Sequence, residues 1–353
     1  MQILKAVVTP VEIKLNQPFI MAGSIKISQV TTIFVRIETR EGRNAWGCGV
    51  VQSELTGETT NQALRVFQDA AELVKDLHPT NIEFSLSKLS PIVQHSPAAK
   101  CAFDLAFHDL LGLAAGLPLY RLLGGFRNRI QTSITIPLVD QQASVEMAKA
   151  YAKKGFRMLK VKGGMDAEDD VDRVRAIHRA LPDHVLRLDA DGGYSVQRAL
   201  DVARALEGAI EMLEQPVAAE DIEGLRQVTT NSPVPILADQ SIKGPESALE
   251  LASRRAVNGM CVKLATCGGL SCARQIDTIA RAAKIATMVS CVIEPALLIA
   301  AGLSYALSSP NVRYGDLDGY FELQNDPTQV SFKLEDGWLV ATDIPGLGCS
   351  VDI

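Results

Sequence analysis

The sequence predicts an α/β fold: a modified (β/α)8 TIM-type barrel with an α+β N-terminal capping domain that the C-terminal tail completes. Three observations predict it. From residue 130 onward, short apolar segments alternate with amphipathic helical ones, and the ends of the apolar segments recur at a nearly constant spacing. The residues before about 125 lack this alternation. The chain also has 353 residues, whereas a single barrel uses about 250, so a second and smaller unit is expected.

The first 125 residues predict strands followed by helices, which is typical of an α+β unit. Residues 31–39 are rich in β-forming residues and end at Glu41-Gly42. Apolar residues at helical spacing occur in 61–67 and in the long segment 97–123, which is predicted to stop at Gly124-Gly125. The predicted domains are a capping domain at 1–125, a barrel at 126–318 and a C-terminal segment at 319–353. The short β-like piece 330–334 is expected to return to the capping domain.

Eight strands are predicted for the barrel: 133–137, 158–162, 185–189, 211–214, 235–239, 260–264, 286–291 and 312–316. Six successive strand ends, at 162, 189, 214, 239, 264 and 291, are separated by 25 or 27 residues. A repeated strand–helix unit of this length is typical of a parallel βα array, and eight strands close a barrel. A doubly wound open sheet is the competing architecture. It is less favoured because no GxGxxG motif follows the first strand.

Composition and charge exclude several classes of partner. The formal net charge is -6 and the pI is about 5.5, so a nucleic acid or an anionic membrane is not expected as a partner. We find no signal peptide and no apolar run of membrane-spanning length. Seven cysteines without a CxxC pair argue against a zinc site and favour reduced thiols in a cytoplasmic protein. A small-molecule substrate is expected, and a homo-oligomer is left open.

Charged residues stand at the ends of successive predicted strands: Lys160, Lys162, Asp189, Glu214, Asp239 and Lys263. In a barrel these strand ends open onto one face, where the active sites of such barrels lie. Three converging carboxylates repel one another unless a cation neutralises them, and oxygen ligands with room for water suit Mg²⁺. We therefore predict Asp189, Glu214 and Asp239 as metal ligands. The alternative is that they are separate solvated strand ends or helix caps.

The lysines come from both sides of the carboxylate set. Lys162 and Lys263 could each act as general base or acid at a carbon next to a carboxylate. Lys160 shares a strand face with Lys162, because residues two apart point the same way, and it would add positive charge beside a developing enolate. The alternative for Lys160 and Lys162 is a solvated strand end.

These residues resemble a known family, the muconate-lactonizing subgroup of the enolase superfamily, and within it most closely the dipeptide epimerases of the Ala-Glu epimerase type. The resemblance covers nearly the whole chain and is carried by LKVK (159–162), RLDADG (187–192), EQP (214–216), ADQS (238–241), VK (262–263) and the junction pattern GLPL (116–119) with LLGG (122–125). It implies a capped, modified barrel that abstracts a proton α to a carboxylate with Mg²⁺. Two positions depart from the subgroup: Asp191, where Asn is frequent, and Cys48, where Glu is usual. All five histidines precede residue 185, so a histidine base on a late strand is absent.

Residues beyond the last strands bear on the substrate. Asp316 and Asp318 form a DxD whose carboxylates could hold an ammonium group, and this resembles the DxD by which dipeptide epimerases bind the substrate's amino terminus. A turn is the alternative interpretation. Thr135 resembles a substrate-contacting threonine of these enzymes, and Glu294, beyond the seventh strand, is predicted to line the site. An EF-hand beginning at Asp316 is excluded because position 327 is Pro rather than Glu.

Two segments, 16–28 and 53–60, are predicted to cover the barrel mouth and to select the side chain of the substrate. Ala-Glu epimerases carry an Arg in the first of them. No Arg occurs at 16–28 here. The segment is largely apolar, and Lys26 is its only basic residue. This favours a dipeptide with an apolar or uncharged residue, while Lys26 keeps an acidic side chain open. Ordinary packing between cap and barrel explains the apolar residues equally well.

The predicted function is Mg²⁺-dependent epimerisation of the C-terminal residue of a dipeptide, L,L to L,D. A 1,1-proton transfer through an enediolate would use Lys162 and Lys263 as two bases. The alternatives on the same site are an N-succinylamino acid racemase, an o-succinylbenzoate synthase and a muconate-type cycloisomerase. Because their substrates lack a free ammonium group, Asp316 and Asp318 discriminate against them. A non-catalytic binding protein that retains the fold is an alternative of another class.

Overall fold

The structure is a computed structural model that describes residues 1–21 and 25–353, except for the side chains of Met21, Ile25, Glu54 and Leu55. The covering segment predicted at 16–28 therefore includes residues 22–24, which lie outside the described residues. An antiparallel sheet with helices forms the N-terminal cap, and a parallel eight-stranded sheet with helices follows it. The predicted fold class is confirmed.

The cap sheet has the order β1 (Ile3–Met21), β2 (Ile25–Thr39) and β3 (Asn44–Val51), with both pairs antiparallel. The cap helices are α1 (Ser53–Thr56), α2 (Thr60–Val74), α3 (Ile82–Val93), α4 (Pro97–Ala115) and α5 (Leu119–Leu122). The segment 97–123 is thus not one continuous helix. Gly116, at φ 68°, ends α4 and donates its N–H to the carbonyl oxygen of Gly112. Pro118 then directly precedes the short helix α5.

Strand β3 lies very close to α4. Gly47 and Gly49 face the backbone of the helix, where a Cβ added to Gly49 would lie only 2.1 Å from the carbonyl oxygen of Ala98. Ala98 and Ala102 are fully buried in this contact. Only residues without a side chain allow the strand and the helix to approach this closely.

The barrel strands follow a short strand β4 (Arg129–Gln131). They are β5 (Ile134–Ile136), β6 (Met158–Lys162), β7 (Val185–Asp189), β8 (Met212–Glu214), β9 (Ile236–Ala238), β10 (Gly259–Lys263), β11 (Ala286–Ser290) and β12 (Val312–Gly315). Each pairs in parallel with the next in chain order. The first and the last of these strands also meet: the N–H of Ser133, just before β5, donates to the carbonyl oxygen of Gly315, the last residue of β12, at 3.1 Å. All eight predicted strands are present, with ends shifted by at most one residue.

The helices between and after these strands are α6 (Gln141–Lys153), α7 (Ala167–Ala180), α8 (Val196–Ala205), α9 (Ile222–Asn231), α10 (Pro245–Ser253), α11 (Leu264–Cys267), α12 (Leu270–Ala282) and α13 (Ala296–Ser308). Four of them begin where a side-chain oxygen accepts a backbone N–H of the first turn, at Asp140, Asp166, Ser195 and Asp221. No helix in the described part of the chain is long and apolar enough to cross a membrane.

The barrel interior is packed, and it contains a buried arginine. Arg187 is fully buried one layer below the end of β7. Its Nε donates to Glu211 Oε2 at 2.9 Å and its Nη1 to the carbonyl oxygen of Gly315 at 3.0 Å, and its guanidinium lies 5.4 Å from the centre of the Tyr314 ring. Because this layer is filled, the next layer of side chains, at the carboxyl ends of the strands, opens toward the cap.

The last residues form a short 3-10 helix (Gly319–Glu322) and four strands: β13 (Thr328–Val330), β14 (Lys333–Glu335), β15 (Trp338–Val340) and β16 (Cys349–Val351). The piece predicted at 330–334 is not one strand, because its residues divide between β13, which pairs with β16, and β14, which pairs with β15. The tail contacts the cap helices: Leu347 donates its N–H to Asp109 Oδ1 at 2.7 Å. The predicted domain boundaries at 125 and 318 stay predictions.

Candidate active site

A cavity of about 380 Å³ lies between the carboxyl ends of the barrel strands and the cap. Its floor and walls include side chains from β5, β6, β10 and the segment after β12. From the cap, Phe19, Ile27, Gln52 and Thr56 line it. The hairpin of β1 and β2 and the segment at 52–56 thus border the barrel mouth, where the covering segments were predicted.

The three predicted metal ligands converge beside this cavity. Asp189 and Glu214 are paired neighbours at the ends of β7 and β8, and Asp239 directly follows β9. One oxygen from each carboxylate lies within 4.8 Å of the others, and all three residues are buried. Glu214 Oε2 makes no hydrogen bond, and burial, with the charge of Asp189, raises the pKa of Glu214 to about 8. Three converging carboxylate oxygens fit a hard divalent cation such as Mg²⁺.

The three predicted lysines contact these carboxylates from two sides. Lys160 Nζ lies 3.0 Å from Asp189 Oδ2 and 3.0 Å from Glu214 Oε2. Lys162 Nζ lies 2.8 Å from Asp189 Oδ2, and across the triad Lys263 Nζ lies 2.6 Å from Asp239 Oδ2.

The charges of these groups are coupled. Burial alone would lower the pKa of each lysine, but the adjacent carboxylates outweigh it and raise the pKa of Lys160, Lys162 and Lys263. Burial opposes ionisation of Asp189, yet the neighbouring ammonium groups hold its pKa below the ordinary value. In this arrangement the lysines are ammonium ions that compensate the charge of the triad.

Asp316 and Asp318 both line the cavity, and they differ in what they bind. Asp316 accepts three hydrogen bonds, from Lys160 Nζ at 2.8 Å, Ser133 Oγ at 2.7 Å and Ser290 Oγ at 2.8 Å. Asp318 accepts the backbone N–H of Thr135 at 2.6 Å and contacts the thiol of Cys291 at 3.6 Å.

Burial and the charge of Asp316 raise the pKa of Asp318 to about 6. Because Asp318 has fewer donors than Asp316, it has more acceptor capacity for a cationic ligand.

The other predicted substrate residues are placed differently. Thr135 lines the cavity. Glu294 does not: it is only 2% exposed, accepts the N–H of Val292 at 3.3 Å, and burial raises its pKa to about 8. Lys26 is exposed and does not line the cavity, whereas the next residue, Ile27, does, because successive residues of a strand point to opposite faces. The structure therefore does not bring Glu294 and Lys26 to the cavity surface.

Several residues in or beside the cavity were not predicted from the sequence. Asp191 places both carboxylate oxygens 2.9 Å from Lys162 Nζ, and its position two residues after Asp189 was the available signal. Part of the cavity wall is apolar and is formed by Phe19, Ile27, Ile242, Val292 and Ile293. Lys243 and Glu322 add one charge of each sign. No arginine lines the cavity among the described residues.

A parallel βα barrel whose strand ends combine a carboxylate triad with lysines on both sides, under a cap, defines a class: enzymes that move a proton at carbon with the help of a metal ion. Two family models match the chain. The N-terminal domain of mandelate racemase / muconate lactonizing enzyme matches residues 3–124, and the enolase C-terminal domain-like model matches residues 143–353. The chain belongs to this family within the enolase superfamily, as the sequence motifs predicted.

Its similarity to curated relatives extends over nearly the whole chain. A hydrophobic dipeptide epimerase of Enterococcus faecalis is 36% identical, over 96% of this chain and 99% of the relative. An L-Lys-D/L-Arg epimerase of Desulforapulum autotrophicum is 34% identical, over 99% of each chain. The predicted enzyme class, an isomerase acting on amino acid derivatives, is confirmed.

Solved structures of dipeptide epimerases are also similar to this chain. The Enterococcus faecalis dipeptide epimerase complexed with Mg and the dipeptide L-Leu-L-Tyr has a TM-score of 0.96 and 36% identity, covering 99% of this chain and 100% of that chain. The Methylococcus capsulatus dipeptide epimerase complexed with Mg and L-Arg-D-Lys has a TM-score of 0.94 and 33% identity, covering 99% of each. These findings support Mg-dependent dipeptide epimerisation and agree with the predicted cofactor. Cytoplasmic location and oligomeric state stay predictions.

Proposed function

We propose that this protein epimerises the C-terminal residue of a dipeptide, from L,L to L,D, with Mg²⁺ held by Asp189, Glu214 and Asp239. The observation that carries the proposal is the placement of the two lysines. Lys162 and Lys263 line one cavity, and each contacts a different member of the triad from its own side. Two proton-transferring groups on opposite sides of one carbon are what inversion at that carbon requires.

The residues divide the reaction between them. One of Lys162 and Lys263, in its neutral form, removes the α-proton of the C-terminal residue, and the other, as an ammonium ion, delivers a proton to the opposite face. Lys160, which contacts Asp189 and Glu214, keeps a positive charge beside the carboxylate of the substrate. When bound, Mg²⁺ supplies electrostatic stabilisation of the charge that develops on that carboxylate.

Asp316 and Asp318 support a substrate with a free amino terminus. Both carboxylates line the cavity at the end of β12, and Asp318 keeps acceptor capacity for an ammonium group. N-succinylamino acids, o-succinylbenzoate precursors and muconates have no such group. Replacing both residues by Asn is therefore expected to cripple dipeptide turnover, whereas a rival activity would survive it.

We further propose a preference for apolar or uncharged side chains. The apolar wall formed by Phe19, Ile27, Ile242, Val292 and Ile293 supports it, since such a wall offers no partner to a buried charge. Lys243 and Glu322 also line the cavity and could pair with a charged side chain of a substrate. Relatives of nearly equal identity are named for hydrophobic and for Lys/Arg dipeptides, so the side-chain preference has to be measured.

The test is proton exchange in D₂O with Mg²⁺ and pooled L,L-dipeptides, followed by mass spectrometry and separation of diastereomers. We expect deuterium at the C-terminal α-carbon together with an L,D product, and the most rapidly labelled dipeptides give the side-chain preference. Exchange of N-succinylamino acids but of no dipeptide would reassign the protein to the racemase or synthase alternative. Exchange of neither, with retained metal binding, would favour a non-catalytic protein.

Variants test the roles of the lysines. Lys162→Ala and Lys263→Ala should each abolish epimerisation while the far-UV circular dichroism spectrum stays unchanged. Lys153→Ala, an exposed lysine of α6 outside the cavity, is the matched control and should keep full activity. Full activity in either cavity variant would overturn the two-base scheme.

A further inference from the structure

We propose that Arg173, with Asp170 and Tyr194, is a positioning group for one of the two proton-transferring lysines, Lys162, and not for Lys263. The inference rests on the proposed two-base function and adds an asymmetry to it. None of the three residues lines the cavity, and all three are buried. They act on Lys162 through its backbone.

The contacts form a continuous buried network. Arg173 Nη2 donates to the carbonyl oxygen of Lys162 at 2.5 Å and to Asp170 Oδ1 at 2.6 Å. The second oxygen of Asp170 accepts the backbone N–H of Gly164 at 2.7 Å and the hydroxyl of Tyr194 at 2.6 Å. One arginine and one aspartate of α7 thus bind the backbone on both sides of Gly163, and a tyrosine from the segment after β7 binds the aspartate.

The network fixes the direction of the Lys162 side chain. Lys162 is the last residue of β6, and the N–H of Gly163 donates to the carbonyl oxygen of Asp189 at 2.7 Å. Gly164 has φ 94°, and a Cβ there would lie 2.0 Å from the carbonyl oxygen of Ala190. The peptide after Lys162 therefore has hydrogen bonds at its oxygen and its nitrogen, and Gly164 packs closely against the backbone of Ala190.

Lys263 has no equivalent support. Among the described residues, the only side chain that donates to its carbonyl oxygen is the hydroxyl of Thr266, at 3.3 Å, from the short helix α11 that begins directly after it. No charged side chain contacts the backbone of Lys263 in the described part of the chain.

The energetics favour a geometric role for the network. A buried ion pair adds little net stability, because desolvation of both charges offsets their attraction. Arg173 Nη1 is moreover buried without a hydrogen-bond partner, which is a further cost. What the network does provide is a fixed backbone, and a misplacement of about 1 Å at a catalytic group lowers the rate about 100-fold.

The test compares the two epimers of one dipeptide in D₂O, measuring for each the rate of α-deuteration with retention and the rate of inversion. Arg173→Met removes the donor to Lys162, and Tyr194→Phe removes one hydroxyl from the network as a milder change. Thr287→Val is the matched control: it removes a buried hydroxyl that binds Asp277 at 2.8 Å, away from both lysines.

We expect inversion to fall by about 10- to 100-fold in Arg173→Met, and less in Tyr194→Phe, with KM unchanged. The two epimers should differ. For the epimer whose proton Lys263 removes, the lysine exchanges that proton with solvent and returns a deuteron to the same face, so deuteration with retention rises relative to inversion. For the other epimer, both rates fall together because Lys162 must act first.

Because the equilibrium constant fixes the ratio of the two inversion rates, the ratio of retention to inversion is the diagnostic quantity. An unchanged ratio for both epimers would show a merely structural role and overturn the proposal. Wild-type rates in Arg173→Met would overturn it as well. If Arg173→Met does not fold, Tyr194→Phe decides by the same ratio, against Thr287→Val at equal melting temperature. Failure of the proposed function itself is distinct, since the wild-type protein would then exchange no dipeptide at all.

Discussion

Gly49→Ala is predicted to be among the most damaging single-methyl additions in the cap. The added Cβ would lie 2.1 Å from the carbonyl oxygen of Ala98 and 2.5 Å from its carbonyl carbon. Both atoms belong to the backbone of α4, so no side-chain rotation can relieve the contact. Strand β3 and helix α4 must instead move apart.

The magnitude follows from that separation. Ordinary contact begins at 3.4 Å, so the strand and the helix must separate by about 1.3 Å. A gap of about 1 Å already forfeits up to about half of the dispersion energy across an interface. Overpacking of a core typically costs about 1–3 kcal/mol, and a backbone clash lies at the upper end, so we expect a loss of about 3 kcal/mol or more.

The assay is urea denaturation followed by tryptophan fluorescence, to which Trp46, in β3 itself, contributes together with Trp338. Gly42→Ala is the control, because Gly42 has φ 80° but no atom within 4 Å of an added Cβ. It should lose only the about 1–2 kcal/mol that a left-handed conformation costs an L-residue. A smaller loss in Gly49→Ala than in Gly42→Ala would refute the reasoning.

Three further predictions concern pH, the barrel interior and the metal. Burial raises the pKa of Asp109 to about 6 from an ordinary 3.8, so its protonated form favours the folded state. This contribution is complete below about pH 4 and is lost as the pH rises through 6. The stability of wild type relative to Asp109→Asn should therefore fall by up to about 3 kcal/mol across that range in urea titrations, and a flat difference would contradict it. Arg187→Met should cost about 3 kcal/mol because it removes a buried hydrogen bond to the carbonyl oxygen of Gly315 and the ion pair with Glu211, whereas Glu211→Gln should cost less, since the side chain of Glu211 is 31% exposed; equal losses in urea melts would count against this. Chelation of divalent ions should stop α-proton exchange without unfolding the protein, because the lysines compensate the triad, and Mg²⁺ should raise the melting temperature of wild type but not of Asp239→Asn.

The sequence was most informative where topology determines position. Strands of a parallel barrel are buried on both faces, so each reads as a short apolar run, and a charged residue marks its carboxyl end. Because all those ends lie on one face, spacing alone sufficed to bring Asp189, Glu214 and Asp239 together. The same two-residue alternation could also have placed Arg187 one layer below Asp189.

Where side-chain direction depends on local irregularity, the sequence was a poor guide. Pairing of β1 with β2 shifts register between Lys14 and Phe19, and beside this irregularity Ile27 rather than Lys26 lines the cavity. Glu294 follows a strand but belongs to a loop whose course no periodicity predicts. The segment 97–123 was predicted as one helical stretch that stops at Gly124-Gly125, whereas Gly116 already ends α4.

The hydrogen bonds of Asp109 have a consequence for the order in which the chain can fold. Its carboxylate takes one N–H from Trp46 and the other from Leu347, a residue 238 positions later. At a synthesis rate of about 5–20 residues per second, the second donor follows roughly ten seconds or more after Asp109 itself. During that interval the growing cap holds a buried acceptor without its partner. The cap therefore reaches its final packing only after the whole barrel has been made, and a nascent chain does not present a covered cavity ahead of the lysines and carboxylates that would work in it.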